Sequence, residues 1–186
     1  MPSVIAPPRT LDRRRLPAIR AEARPPGSSA AARAAARASR EPAGASGSPR
    51  ILVVDDEASI RMLCTINLGL EGYDVEQAED GARALELIGR SHFDLVLLDV
   101  MLPDIGGFEI ARRVVADHPS APIVFLSARA DPADLRAGYE AGGVDYITKP
   151  FDPTSLATRV REVLDRIERG ESERYRQARL TELGGW

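Results

Sequence analysis

The stretch Phe93-Asp94-Leu95-Val96-Leu97-Leu98-Asp99-Val100-Met101-Leu102-Pro103 limits what this chain can fold into more than any other. Leu95 to Leu98 is short, continuously apolar and partly β-branched, which reads as a strand buried on both faces. The interior of such a strand tolerates no carboxylate, because desolvating an unpaired charge is costly. Asp99 is therefore expected at the carboxyl end of the strand, where ligands of open α/β sheets bind. Taken alone, Asp99 could equally be a cap for the segment that follows it.

Similar short runs recur along the chain. Ile51-Leu52-Val53-Val54 leads into Asp55-Asp56-Glu57, and further strands are predicted over Tyr73–Gln77, Ile123–Leu126 and Val144–Thr148. Helical patterns lie between them. The first holds Ile60, Leu63 and Leu70 and stops at Gly72; the second is capped by Asp80 and holds Leu85 and Ile88. The third runs from about Phe108 to Val115 and closes at His118-Pro119; the fourth runs from Pro132 to Ala141 and leads through Gly142-Gly143. The last helix starts near Asp152-Pro153, and its stripe of Leu156, Val160, Val163, Leu164 and Ile167 is spaced as one buried face requires. This alternation predicts right-handed crossovers and a doubly wound, five-stranded parallel α/β sheet with helices on both faces.

Parallel strands would bring Asp55, Asp56, Asp99, Ser127 and Lys149 to one edge of that sheet. Three carboxylates there repel one another unless a cation sits among them. Hard oxygen donors at a solvent-open edge suit Mg²⁺, which keeps several waters and binds through carboxylates and phosphate oxygens. An ammonium and a hydroxyl opposite the metal would complete the contacts of an oxyanion. The set describes a phosphoryl site with Asp99 as candidate nucleophile. Lys149 carries a compositional signal of its own: the chain has 25 basic residues, and Lys149 is the one that is not arginine. A compact ammonium is not equivalent to a planar guanidinium in a tight site.

Five segments in order make the chain from Arg50 to about residue 169 resemble the receiver domains of two-component response regulators. They are Val53-Val54-Asp55-Asp56-Glu57, Leu97-Leu98-Asp99-Val100-Met101-Leu102-Pro103, Gly107-Phe108-Glu109, Leu126-Ser127-Ala128-Arg129 and Asp145-Tyr146-Ile147-Thr148-Lys149-Pro150-Phe151. The resemblance implies the flavodoxin-like strand order 2-1-3-4-5. It implies that Asp99 accepts a phosphoryl group from a sensor histidine kinase or a phosphotransfer protein. Asp55, Asp56, Asp99 and the backbone carbonyl of Met101 would hold Mg²⁺, directly or through water, and Lys149 would pair with the phosphate. Ser127 would move its hydroxyl onto a phosphate oxygen, and Tyr146 would turn inward. The new charge would thereby alter the surface of helix four, strand five and helix five for a downstream protein target. Such a domain is a cytoplasmic, bacterial signalling part with self-phosphorylation and self-dephosphorylation chemistry, not a turnover enzyme.

The chain also departs from that pattern. Ser127 stands where Thr is commoner, and Gly106 and Val144 stand where relatives often carry Asp. The last helix resembles that of receivers that drive winged-helix DNA-binding domains and dimerise through helix four, strand five and helix five. Asp145 and Arg159 match one interchain ion pair of those homodimers, whereas Val144 and Ser155 lack charges used there.

Residues 1–49 carry nine Arg against three acidic residues, eight of the 14 prolines, and six apolar side chains larger than alanine. That composition predicts a disordered tail, and it leaves open a nucleic-acid arm, a targeting peptide or a tether. Residues 170–186 are expected to be a charged tail or an extension of the last helix, too short for an output domain, with Tyr175, Leu180, Leu183 and Trp186 as candidate contacts. Cys64, the one cysteine, excludes an internal disulfide and reads as a buried, inert thiol. No apolar run is long enough to span a membrane, and nucleic acid is not the expected partner. Two other functional classes remain. One is a DNA-associated regulator using the arginine arm or a lost output domain. The other is a metal-dependent phosphohydrolase, which would need a second acid near Asp99, where Met101 stands.

Overall fold

The structure, a computed structural model, describes residues 47–184. The predicted disorder of residues 1–49 falls almost wholly outside the described residues, as does the candidate contact Trp186. The elements alternate as β1 (Arg50–Val54), α1 (Ala58–Leu70), β2 (Asp74–Ala78), α2 (Gly81–Arg90), β3 (Leu95–Asp99), α3 (Gly107–Asp117), β4 (Ile123–Ser127), α4 (Pro132–Glu140), β5 (Asp145–Thr148) and α5 (Pro153–Glu168). A further helix, α6 (Ser172–Gly184), follows. The strands form one parallel sheet in the order β2-β1-β3-β4-β5, as expected.

Side-chain alternation along each strand divides the apolar core in two. Leu52, Val54, Val96, Leu98, Ile123 and Phe125 face α2, α3 and α4, where Ile88, Ile110, Val114 and Tyr139 meet them. Ile51, Val53, Leu95, Leu97, Val124 and Leu126 face α1 and α5, where Cys64, Leu68, Leu156, Val160 and Val163 meet them. Each of these strand side chains is essentially buried, and each aliphatic one contributes roughly 2 kcal/mol relative to an exposed position. Both faces are covered over the middle of the sheet, so β1, β3 and β4 show continuous apolar runs with no polar alternation, while the edge strand β2 is polar.

Polar residues mark the helix starts. Asp80 accepts the Arg83 N–H, and Asp152 accepts those of Thr154 and Ser155. Asp104 reaches from the β3–α3 loop to accept the N–H groups of Gly81 and Ala82, which ties that loop to the start of α2. Its carboxyl is held below the usual carboxylate range, chiefly by the Gly81 bond.

Several boundaries differ by a residue or two from those expected: β4 ends at Ser127, β5 begins at Asp145 and α4 ends at Glu140. β2 begins at Asp74, because the Tyr73 N–H donates to the Leu68 carbonyl and closes the end of α1. Residues beyond Gly170 do not extend α5. Gly170 has a φ of +67°, a left-handed conformation that ends the helix. The chain turns there, and α6 packs Tyr175, Leu180 and Leu183 against the cluster that includes Leu135, Tyr139 and Tyr146.

Candidate functional site

Each residue singled out at the sheet edge leaves the end of a strand. Asp55 follows β1 directly, Asp99 ends β3, Ser127 ends β4, and Lys149 follows β5. The ladder pairs Val54 with Leu98, Asp99 with Leu126, and Ser127 with Thr148, so these ends lie side by side. The Lys149 N–H donates to the Ser127 carbonyl at 2.7 Å, which fixes where the lysine stem begins.

The side chains converge. Lys149 Nζ lies 2.5 Å from Asp55 Oδ2 and 3.4 Å from Asp99 Oδ1. Oxygens of Asp55, Asp56 and Asp99 all lie within 4.8 Å of one another. Asp55 and Asp99 are buried and Asp56 is exposed, so the cluster has one open side. One ammonium offsets one of the three carboxylates, which leaves a surplus of negative charge. Hard oxygen donors with that surplus and an open side suit a divalent cation such as Mg²⁺. The donor set fits the group expected from the sequence.

The charges answer to their surroundings. Burial pushes the Asp99 carboxyl above its ordinary value; Lys149 opposes this and Asp55 adds to it. For Lys149, burial pulls downward, but the bond and charge of Asp55 together with Asp99 outweigh it, and the ammonium is held above its usual value. Lys149 therefore stays protonated at neutral pH. The arrangement pairs a buried carboxylate, unsettled by burial and by Asp55, with a fixed cation 3.4 Å away.

Backbone contacts hold these groups in place. Asp55 Oδ1 accepts the Glu57 N–H at 3.0 Å, and the Arg61 guanidinium donates to the carbonyls of Asp55 and Asp56 at 2.7 and 3.0 Å. Sequence reasoning missed Arg61, because one arginine among many on a half-exposed helix carries no signal. Behind Asp99, the Met101 N–H donates to its carboxylate, and the Gly107 N–H donates to the Val100 carbonyl at 3.0 Å. A Cβ at Gly107 would run into the Asp99 carbonyl oxygen and come 2.8 Å from Val100 Cα, so only glycine allows α3 to start this close. The Met101 side chain is exposed, which leaves the backbone as the part of that residue suited to the site.

Ser127 and Tyr146 lie beside the cluster. Ser127 is fully buried, and its Oγ accepts the Arg129 N–H at 3.1 Å. Tyr146 is in the inward position, 8% exposed, with its hydroxyl donating to the Arg129 carbonyl at 2.9 Å and its ring 6.0 Å from that of Phe125. Burial pushes its phenol up, opposed by a hydrogen bond with Ser127. Both hydroxyls meet the same residue, Ser127 through the Arg129 N–H and Tyr146 through the Arg129 carbonyl.

Asp145 and Arg159 stand apart from the cluster and pair within the chain. Asp145 Oδ1 accepts from Arg159 at 2.9 Å and from the Tyr146 N–H at 2.8 Å, and Oδ2 accepts from Arg166 at 2.5 Å. Sequence reasoning did not single out Arg166. His92 pairs with Asp94, just before β3 and away from the acidic cluster. Cys64 is buried, and burial pushes its thiol up to about 12. Among the described residues no helix is long and apolar enough to cross a membrane.

Comparison with known proteins agrees with this geometry. The family model for the response regulator receiver domain matches residues 51–161. The chain is 45% identical over 124 residues to the DNA-binding response regulator MtrA of Mycobacterium tuberculosis (strain ATCC 25618 / H37Rv), covering 67% of this chain and 53% of that protein. It is 42% identical over 123 residues to the DNA-binding dual master transcriptional regulator RpaA of a Synechocystis species, covering 65% and 51%. The chain spans about half the length of these curated relatives. Among solved structures, a CheY-like response regulator receiver domain protein from Methanospirillum hungatei JF-1 superposes with a TM-score of 0.64 at 31% identity, covering 67% of this chain and 99% of that one. The response regulator DrrB, a Thermotoga maritima OmpR/PhoB homologue, gives 0.60 at 35% identity over 64% of this chain and 54% of that one. The expectation that nucleic acid is not a partner finds no support in relatives named as DNA-binding.

Proposed function

Because the chain belongs to the response regulator receiver family, we propose that residues 50–169 form a receiver that takes a phosphoryl group on Asp99 in a two-component phosphorelay. The donor is a phosphohistidine on a sensor kinase or phosphotransfer protein, in a bacterial cytoplasm. An Asp99 carboxylate oxygen attacks phosphorus, the P–N bond breaks as the O–P bond forms, and the imidazole nitrogen keeps the bonding pair. Lys149 places its ammonium where charge builds on the phosphoryl oxygens. Mg²⁺, held by Asp55, Asp56, Asp99 and the Met101 carbonyl, supplies further neutralisation of that charge when bound. Water later attacks the same phosphorus, the O–P bond to Asp99 breaks, and inorganic phosphate leaves with Asp99 returned as a carboxylate, so the chemistry is a timed reset of the acceptor and not metabolite turnover. Ser127 is the hydroxyl that follows the phosphoryl oxygen, and Tyr146 carries the change to α4, β5 and α5, where a downstream protein reads it.

The observation that carries this reading is the convergence of Lys149 with Asp55 and Asp99 beside an open acidic cluster. Its test is intact mass after incubation with acetyl phosphate and Mg²⁺. One phosphoryl adduct is expected on the native chain, and none on Asp99→Asn or without metal. An adduct that survives Asp99→Asn would overturn the assignment.

A second reading follows from the relatives named as DNA-binding regulators. In it the chain works at DNA, through the arginine-rich residues 1–49 or through a DNA-binding domain that accompanies the receiver. Affinity for duplex DNA that falls steeply with salt and disappears on deleting residues 1–49 would support the arm. Salt-insensitive failure to bind would exclude it. A homodimer through α4, β5 and α5 that uses Asp145 and Arg159 would have to displace α6, which packs beside both.

A further inference from the structure

Helix α6 lies on α4 and on the outer side of β5 and α5, and it does so with one face. Ser172, Tyr175, Arg176, Arg179, Leu180 and Leu183 are partly covered, at helical spacing, while the residues between them are exposed. Tyr175 anchors it: the Arg166 guanidinium stacks over its ring, 3.7 Å from the centroid, and Arg159 donates to its hydroxyl at 3.1 Å. Arg176 donates to the Tyr139 carbonyl at 3.0 Å. Leu180 and Leu183 pack on the cluster containing Leu135 and Tyr139.

The contact is shallow. No residue of α6 is buried, whereas α5 buries Leu156, Ala157, Val160 and Val163. Guanidinium and phenol groups share the contact with an apolar contribution from Tyr175, Leu180 and Leu183, each only partly covered. Gly170, with its φ of +67°, ends α5 and separates it from α6. A helix so attached behaves as a bound partner that happens to share the chain.

We propose that α6 is a detachable ligand, bound in cis, that covers the face built by α4, β5 and α5. The pattern by which α6 is held is an aromatic residue, Tyr175, with arginines one and four positions on and leucines five and eight positions on. While α6 is docked, its effective concentration of about millimolar excludes micromolar competitors. The inference stands whether or not Asp99 takes a phosphoryl group.

The test uses the full chain and a labelled synthetic peptide of residues 171–186. In hydrogen exchange, amides of α6 should exchange at least about 100-fold faster than those of β3, yet more slowly than in the free peptide. Exchange as slow as β3, or as fast as the free peptide, would overturn the proposal. The double variant Leu180→Glu/Leu183→Glu should release α6, leave β3 protected, and bind the peptide at least ten-fold more tightly than the native chain does. Equal binding by both chains, or no binding by a variant whose α6 is released, would overturn it. Should that variant fail to fold, Tyr175→Ala/Arg176→Ala repeats the measurement. Loss of the fold in both would show that α6 is integral and not detachable.

Discussion

Asp99 has its carboxyl where the native state favours the proton, since burial and the Asp55 charge both disfavour ionisation. Its folded value lies above the unfolded value of about 3.9. The stability this group contributes is full below the unfolded value and is lost as pH rises through the folded one. In metal-free protein at pH 7, Asp99→Asn should therefore raise the stability and with it the unfolding midpoint. That gain should shrink as acid protonates the native Asp99, which a thermal melt series from pH 7 to pH 4 would follow. A lower midpoint at pH 7 would show that the Lys149 contact outweighs the burial. Cys64 gives a second prediction. With its thiol at about 12 and no exposure, it should label with iodoacetamide at pH 8 only after unfolding, and labelling of the native chain at the rate of a free thiol would contradict its burial. The ends of the strands were legible because carboxylates and one ammonium interrupt apolar runs where burial forbids them. Arg61 was not legible, since its contacts run to carbonyl groups that every residue possesses.

Among the elements, the strands and the first five helices were readable from periodicity, with boundaries off by a residue or two, as at Tyr73, whose N–H goes to the end of α1. Helix α6 was harder to read. Its inner face holds two arginines whose stems cover apolar surface while their heads stay polar, so hydropathy marks no stripe there. The β5–α5 junction carries a prediction of its own. Asp145 has no exposed side chain and binds both Arg159 and Arg166, the first 37% exposed and so partly screened, the second only 14% exposed. Asp145→Ala should cost about 3 kcal/mol, chiefly through Arg166 left unpaired, and lower the midpoint by roughly 10 °C. Asp145→Asn should recover part of that loss. A fall of less than about 2 °C for the alanine variant would mean that water serves the guanidinium groups equally well.

For the whole molecule, βα alternation and crossover handedness lead to a parallel sheet, the resemblance to receivers implied the order 2-1-3-4-5, and that order gathers one working edge from strands far apart in sequence. Cation binding at that edge is linked to the stability of the entire fold. Mg²⁺ at ten times its dissociation constant should raise stability by about 1.4 kcal/mol. The exposed Asp56 is the residue to remove, because its side chain lies on the open side of the cluster, outside the buried Lys149–Asp55 pair. Asp56→Asn should melt near the native midpoint without metal and respond weakly to its addition; an undiminished response would exclude Asp56 as a ligand. The seat of α6 on its own chain has a different consequence, one of dosage. An equilibrium within one molecule does not depend on how many molecules there are, so the fraction of closed faces stays the same when expression rises or falls ten-fold. A receiver shut by pairing with a second copy would open on dilution and close when overproduced, and its output would carry the noise of its own synthesis. This chain takes its occupant with it, and its closed fraction is indifferent to copy number.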